Sequence, residues 1–206
     1  GWLPLEDDVV ADEPVQPPTQ KALFGYGAAD NATNLSMTNL VSSSGVVAAD
    51  VTGVGTARTN IAAAGYGGDK ALFAYGTTGS NVSLKNLVSN SGVVATDVTG
   101  VGTARSRLAA ATYGLDKAIF GYGLTGSKVS MTNLVNSSGV VATDVTGVGT
   151  ARMNLAAAGY GTDKAIFGYG RNSANARVSM TNLVSSSGVV ASDVTGVGTT
   201  RWGLAA

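Results

Sequence analysis

Residues 94–105 read VATDVTGVGTAR, and residues 141–152 read VATDVTGVGTAR again. Near copies stand at 47–58 (VAADVTGVGTAR) and 190–201 (VASDVTGVGTTR). Aligned on their last residues, Arg58, Arg105, Arg152 and Arg201, the four copies are 47, 47 and 49 residues apart. A lysine recurs at Lys21, Lys70, Lys117 and Lys164, and an asparagine at Asn39, Asn86, Asn133 and Asn182. From Arg to the next Lys is 12 residues each time, whereas from Lys to Asn is 18, 16, 16 and 18. The length variation therefore falls in one loop, at 28–33, 77–81, 124–128 and 171–177. Rigid spacing with one variable loop is the mark of a repeat architecture.

Each unit contains four short segments divided by turn residues. RMNLAAAGYG (152–161) and DKAIFGYG (163–170) meet at a turn around Thr162 and Asp163. VSMTNLVS (178–185) and GVVASDV (188–194) meet at a Ser-Gly turn. In VSMTNLV, Val178, Met180 and Asn182 alternate with Ser179, Thr181 and Leu183, the period of a strand. The apolar runs are too short for helices and are closed by glycine. Four strands in about 47 residues match one propeller blade.

The expected fold is all-β: a four-bladed β-propeller over 21–206, preceded by an extended acidic arm at 1–20. Nothing before Lys21 resembles LAAAGYG, while the segment 201–206 (RWGLAA) repeats the start of that strand. The C-terminal strand is thus expected to close the first blade and pin a ring shut. A β-solenoid or fibre is the alternative. Within the repeated phrase, Gly53, Gly100, Gly147 and Gly196 are expected at equivalent corners with positive φ. Asp50, Asp97, Asp144 and Asp193 are expected to meet an arginine or corner amides, and the Ala-Ala-Ala strand to suit a crowded centre.

The pattern GTAR-xx-LAAAGYGTDKAIFGYG resembles kelch-type propeller repeats, and is similar to the regulator-of-chromosome-condensation type. It departs from kelch in two ways. The Gly-Gly pair is replaced by Gly-Tyr-Gly at 25–27, 121–123 and 168–170 or Ala-Tyr-Gly at 74–76, and the kelch Trp is absent. The near-identical array looks like those of bacteriophage virion and tail-associated proteins. This resemblance covers 21–206; it implies a propeller and a virion or extracellular location, and it names no activity.

Composition narrows the chemistry. The chain has no Cys and no His, which removes thiol nucleophiles, disulfides, zinc fingers and imidazole acid–base catalysis. The body after residue 20 has no Glu, and apart from Asp30 its eight Asp follow the repeat rather than breaking it as a catalytic carboxylate pair would. The Gly-x-Gly patterns are not followed by a helix that could receive a phosphate. No catalytic residue, cofactor or metal site is expected, and the chain is read as non-enzymatic. The body's charge of +5 is dispersed, so no nucleic-acid partner is expected. No window reaches the ~18 apolar residues of a membrane span. Tyr26, Tyr75, Tyr122 and Tyr169, with Tyr66, Tyr113 and Tyr160, either pack between units or offer stacking platforms for sugars.

The arm stands apart. Residues 1–20 hold five acidic and no basic residues, and open with Trp2, Leu3, Pro4 and Leu5 ahead of Glu6, Asp7 and Asp8. An aromatic anchor beside a charged run suits a docking peptide, so these seven residues are the expected partner-binding set. The functional expectation is a structural, decoration or adhesion protein of a larger assembly, a phage virion, held by its arm to other virion proteins. The alternative is a lectin-like module that recognises host surface glycans.

Overall fold

The structure, a computed structural model, describes residues 21–30 and 33–206. The arm, with Trp2, Leu3, Pro4, Leu5, Glu6, Asp7 and Asp8, lies outside the described residues. Within them the chain is all-β, with no helix. Unit one holds β1 (Ala22–Ala28) and β2 (Asn34–Val41), an antiparallel pair. Unit two holds β3 (Ala62–Tyr66), β4 (Lys70–Ala74) and β5 (Lys85–Val88) as one antiparallel sheet in that order. Unit three repeats it with β6 (Ala109–Tyr113), β7 (Lys117–Gly121) and β8 (Thr132–Val135). Unit four opens with the short β9 (Arg152–Met153), which pairs with β12 (Arg171–Asn172). Its main sheet is β10 (Ala156–Tyr160), β11 (Lys164–Gly168) and β13 (Thr181–Val184).

The sequence accounts for each sheet. A tyrosine and a lysine close the first hairpin, pairing Tyr66 with Lys70, Tyr113 with Lys117 and Tyr160 with Lys164. The third strand follows the expected alternation: Asn182 and Val184 are buried, and Leu183 between them is exposed. The fourth segment differs from expectation. It makes only two isolated bridges per unit, such as Val88 with Val94 and Lys85 with Val98 in unit two. The ladder breaks because the Asn86 side-chain amide donates to Ala95 O (3.0 Å) and to Asp97 Oδ1 (2.9 Å), occupying the space between the bridges. Three strands and a tethered return, rather than four strands, make a unit.

Successive units pack through their alanine strands. β6 lies against β3 on one side and β10 on the other. Ala109 and Ala111 are buried there, and the Thr112 hydroxyl donates to Gly65 O at 3.1 Å. Side chains with no atoms beyond Cβ let the strands of successive units approach closely.

The C-terminal segment corrects one expectation. Residues 201–206 form no strand, and among the described residues no hydrogen bond joins them to β1. Instead Gly170 N donates to Arg201 O and Gly203 N donates to Asn154 O, each at 3.0 Å. The second bond extends a row in which Arg107 N donates to Asn60 O and Asn154 N to Arg107 O. Local stacking holds the segment there, with the Arg201 guanidinium 4.1 Å from the Tyr169 ring centre and Arg171 5.1 Å from that of Trp202. The first sheet is not closed by the last strand.

Candidate functional site

The chemistry of the molecule concentrates where one unit meets the next. Arg58, Arg105 and Arg152 are fully buried, the largest fully buried side chains among the described residues. Each ends one unit and reaches into the following one. The Arg105 guanidinium lies 4.2 Å from the ring centre of Tyr75 in its own unit. Its Nε donates to Tyr122 O of unit three at 3.0 Å, and its Nη1 stands 3.9 Å from Asp144 Oδ1. Arg58 does the same between units one and two. It stacks on Tyr26 at 4.5 Å, donates through Nε to Tyr75 O at 2.9 Å and through Nη2 to Asn86 Oδ1 at 2.6 Å, and meets Asp97 at 3.5 Å. Arg152 stacks on Tyr122 at 4.7 Å, donates to Asn182 and faces Asp193 at 3.9 Å.

A buried cation demands this company, since an uncompensated charge in the interior is strongly unfavourable. Burial pulls the affinity of each guanidinium for its proton down, and the adjacent tyrosine and aspartate push it back up. The aspartates answer in kind. Burial alone would raise Asp144, yet the Thr103 hydroxyl, the Asn133 amide and the Thr103 N–H outweigh it and hold the carboxyl below its usual range. Asp97 and Asp193 are lowered against burial by the equivalent partners, Thr56 and Asn86 for the first and Thr150 and Asn182 for the second.

An aromatic pair completes each junction. Phe73 packs against Tyr26, Phe120 against Tyr75 and Phe167 against Tyr122, at 5.1, 5.7 and 5.1 Å between ring centres. The tyrosine hydroxyls donate to Val54 O, Val101 O and Val148 O, at 3.1, 3.1 and 3.2 Å. Burial pushes the Tyr122 hydroxyl up to about 12, so it stays protonated and keeps donating. The tyrosines are therefore packing residues. Tyr26, Tyr75, Tyr122 and Tyr169 all sit at φ of 63–64°, a left-handed conformation rare for a bulky residue.

The sequence matches no known protein family and no characterised protein. The junction must be read from its own geometry.

Several expectations can now be placed. Asp97, Asp144 and Asp193 meet arginine and corner amides, each taking the arginine of the preceding phrase rather than the one eight residues later in its own, whereas Asp50 meets Asn39. The corner glycines are corrected. The positive φ belongs to Gly55, Gly102, Gly149 and Gly198, not to Gly53, Gly100, Gly147 and Gly196. The latter four are required by close approach: a Cβ on Gly100 would fall 1.6 Å from Ser83 O, and on Gly53 2.1 Å from Ser36 Oγ. The burial of the arginines and the left-handed tyrosines are features that composition and local pattern do not display. The invariant spacing of Arg, Asn and Asp was the available signal for the first.

A second region gathers polar groups. The variable loops border a shallow cleft of about 410 Å³ that runs over units one to three, lined by Asn34, Asn60, Thr77, Asn81 and Arg107 among others. Asn34 and Asn81 are tied down there, donating to Thr77 O (3.4 Å) and Leu124 O (2.9 Å). No aromatic ring lines it.

Proposed function

We propose that this chain is a non-enzymatic structural protein of a larger assembly, a phage virion, attached to other virion proteins through its arm. One observation carries the reading: the buried Arg58, Arg105 and Arg152 each bridge one repeat to the next, stacked on a tyrosine of one and facing an aspartate of the other. Such polar groups, locked in place between packed rings, serve rigidity and spacing. The architecture belongs to the same proposal. Every hydrogen bond between units of the described residues joins consecutive units, which supports an open stack in preference to the expected four-bladed ring.

Attachment rests on the arm. Trp2, Leu3 and Leu5 bury against a partner protein, with Glu6, Asp7 and Asp8 facing its basic groups. Binding of the intact chain and of Trp2→Ala to isolated particles tests it. Loss of binding with an unchanged circular dichroism spectrum is expected, and equal binding of the two overturns the arm's role. A second reading, recognition of surface glycans, draws support from the polar cleft along the variable loops. A glycan array decides it: binding lost in Arg107→Ala favours the lectin, and no binding removes it.

A further inference from the structure

The three internal junctions show what covers each face of a unit. At the two ends of the described stack, the halves of that junction stand open. At the far end Arg201 is exposed and stacks on Tyr169. Its guanidinium donates to Thr199 O at 3.3 Å, and among the described residues no aspartate or asparagine receives it. Val197 is 84% exposed, where the equivalent Val148 is 36% exposed. Tyr160 is 39% exposed, whereas Tyr66 and Tyr113 in the same position are buried.

At the near end the missing halves are present. Phe24 is 63% exposed, whereas Phe73, Phe120 and Phe167 are 5%, 0% and 0% exposed. Asn39 donates to Asp50 at 2.8 Å, the same pairing that receives an arginine in the later units. Among the described residues no arginine faces it, and residues 1–20 contain no Arg or Lys. Gly45 has nothing within 4 Å of where a Cβ would stand, while Gly139 and Gly188 are covered by Tyr66 and Tyr113 of the preceding unit. Likewise Gly55, Gly102 and Gly149 each lie against the next unit's aspartate, and Gly198 does not.

From this complementarity we propose that the chain associates head to tail with a second copy of itself, the Arg201 end of one copy seated on the Phe24–Asp50 face of the next. Arg201 enters the Asn39–Asp50 pair, Phe24 packs on Tyr169, and Tyr160 covers Gly45. The residues needed are those that the internal junctions use, in the same order. The segment after Arg201, Trp-Gly-Leu-Ala-Ala, matches the start of the alanine strand, and among the described residues no alanine strand pairs with β1. The two surfaces differ from each other, so the contact is heterologous and propagates into an open filament rather than closing as a symmetric dimer. The inference rests on the open-stack reading and not on the arm or on any virion.

Sedimentation velocity of the 206-residue chain over a concentration series, with matched end-blocked variants, tests it. Arg201→Glu blocks one end and Phe24→Asp the other, each at an exposed side chain outside the three internal junctions. The wild-type chain is expected to form a ladder of oligomers that lengthens with concentration. Each variant alone is expected to remain a monomer with an unchanged circular dichroism spectrum. Mixed in equal amounts, the two variants are expected to form one-to-one dimers and stop there, because each keeps the face the other has lost. A wild-type chain that stays monomeric to its solubility limit overturns the proposal, as does association that survives in both variants. Failure of particle binding by Trp2→Ala would leave this result untouched.

Discussion

Unit three and unit one carry nearly the same sequence and live in different surroundings. Phe120 and Phe24 occupy equivalent strand positions, but the first is completely enclosed and the second is 63% exposed. Arg105 and Arg201 close the same phrase, but the first is buried among Tyr75, Tyr122 and Asp144 while the second lies in solvent against one tyrosine. Identical residues therefore carry unequal energies according to whether a neighbour is present. In a stack, stability is the sum of unit and interface terms, and here the interface term is the larger for the aromatic and cationic residues.

The largest contrast should come from the phenylalanines. Phe120→Ala should destabilise the chain by about 3–5 kcal/mol, the usual range for an enclosed aromatic ring. Phe24→Ala should change the stability of the isolated chain by less than about 0.5 kcal/mol. Urea unfolding of both variants at low concentration compares them directly; equal losses would break the contrast.

The arginines come next. Arg105→Ala should lose about 3 kcal/mol, the low end for a broken buried pair because Asp144 keeps some contact with water. Arg201→Ala, which gives up one exposed cation–π contact, should lose under about 1 kcal/mol. Thermal melts of the two variants check this.

A glycine pair sharpens the point. Gly102 and Gly198 have φ of 82° and 85°, so alanine at either meets a left-handed backbone at roughly 1–2 kcal/mol. At Gly102 the new Cβ would also meet Asp144 Oδ1, whereas at Gly198 the nearest foreign atom is the Tyr169 hydroxyl at 3.7 Å. Gly102→Ala should therefore be the more destabilising, and the difference between the two midpoints measures the filled junction.

Acid titration gives the smallest contrast. Asp97, Asp144 and Asp193 are held below the usual carboxylate range. Their contribution is complete above the unfolded value of about 3.9 and disappears as pH falls through the lower folded values. Stability should drop below about pH 4, and Asp144→Asn should flatten that drop. Denaturant midpoints across that range check it: a variant whose drop matches that of the wild-type chain contradicts the expectation.

Much of this could be read in the sequence, for identifiable reasons. Identical spacing of Arg, Lys and Asn implies equivalent backbones, and the Tyr-to-Lys hairpin turn and the alternation around Asn182 follow from local pattern alone. What periodicity does not show is which unit supplies a partner. Asp144 could have met Arg152 in its own phrase or Arg105 in the one before, and the sequence spacing is silent on the choice. The same limit explains the C-terminal segment, whose match to the alanine strand is genuine while its hydrogen bonds go to Asn154 and Gly170. Of the two glycines in Thr-Gly-Val-Gly, one serves close approach and the other positive φ, and both needs select the same residue.

Native-state hydrogen exchange on the dilute chain tests the central claim most directly. An open stack locked by its junctions predicts the slowest exchange in β6, β7 and β8, which have a neighbour on each side. It predicts the fastest exchange in β1, β2 and residues 201–206, with opening that spreads inward from both ends. Equal protection of β1 and β7, with residues 203–206 as slow as the centre, would contradict it and restore the closed ring.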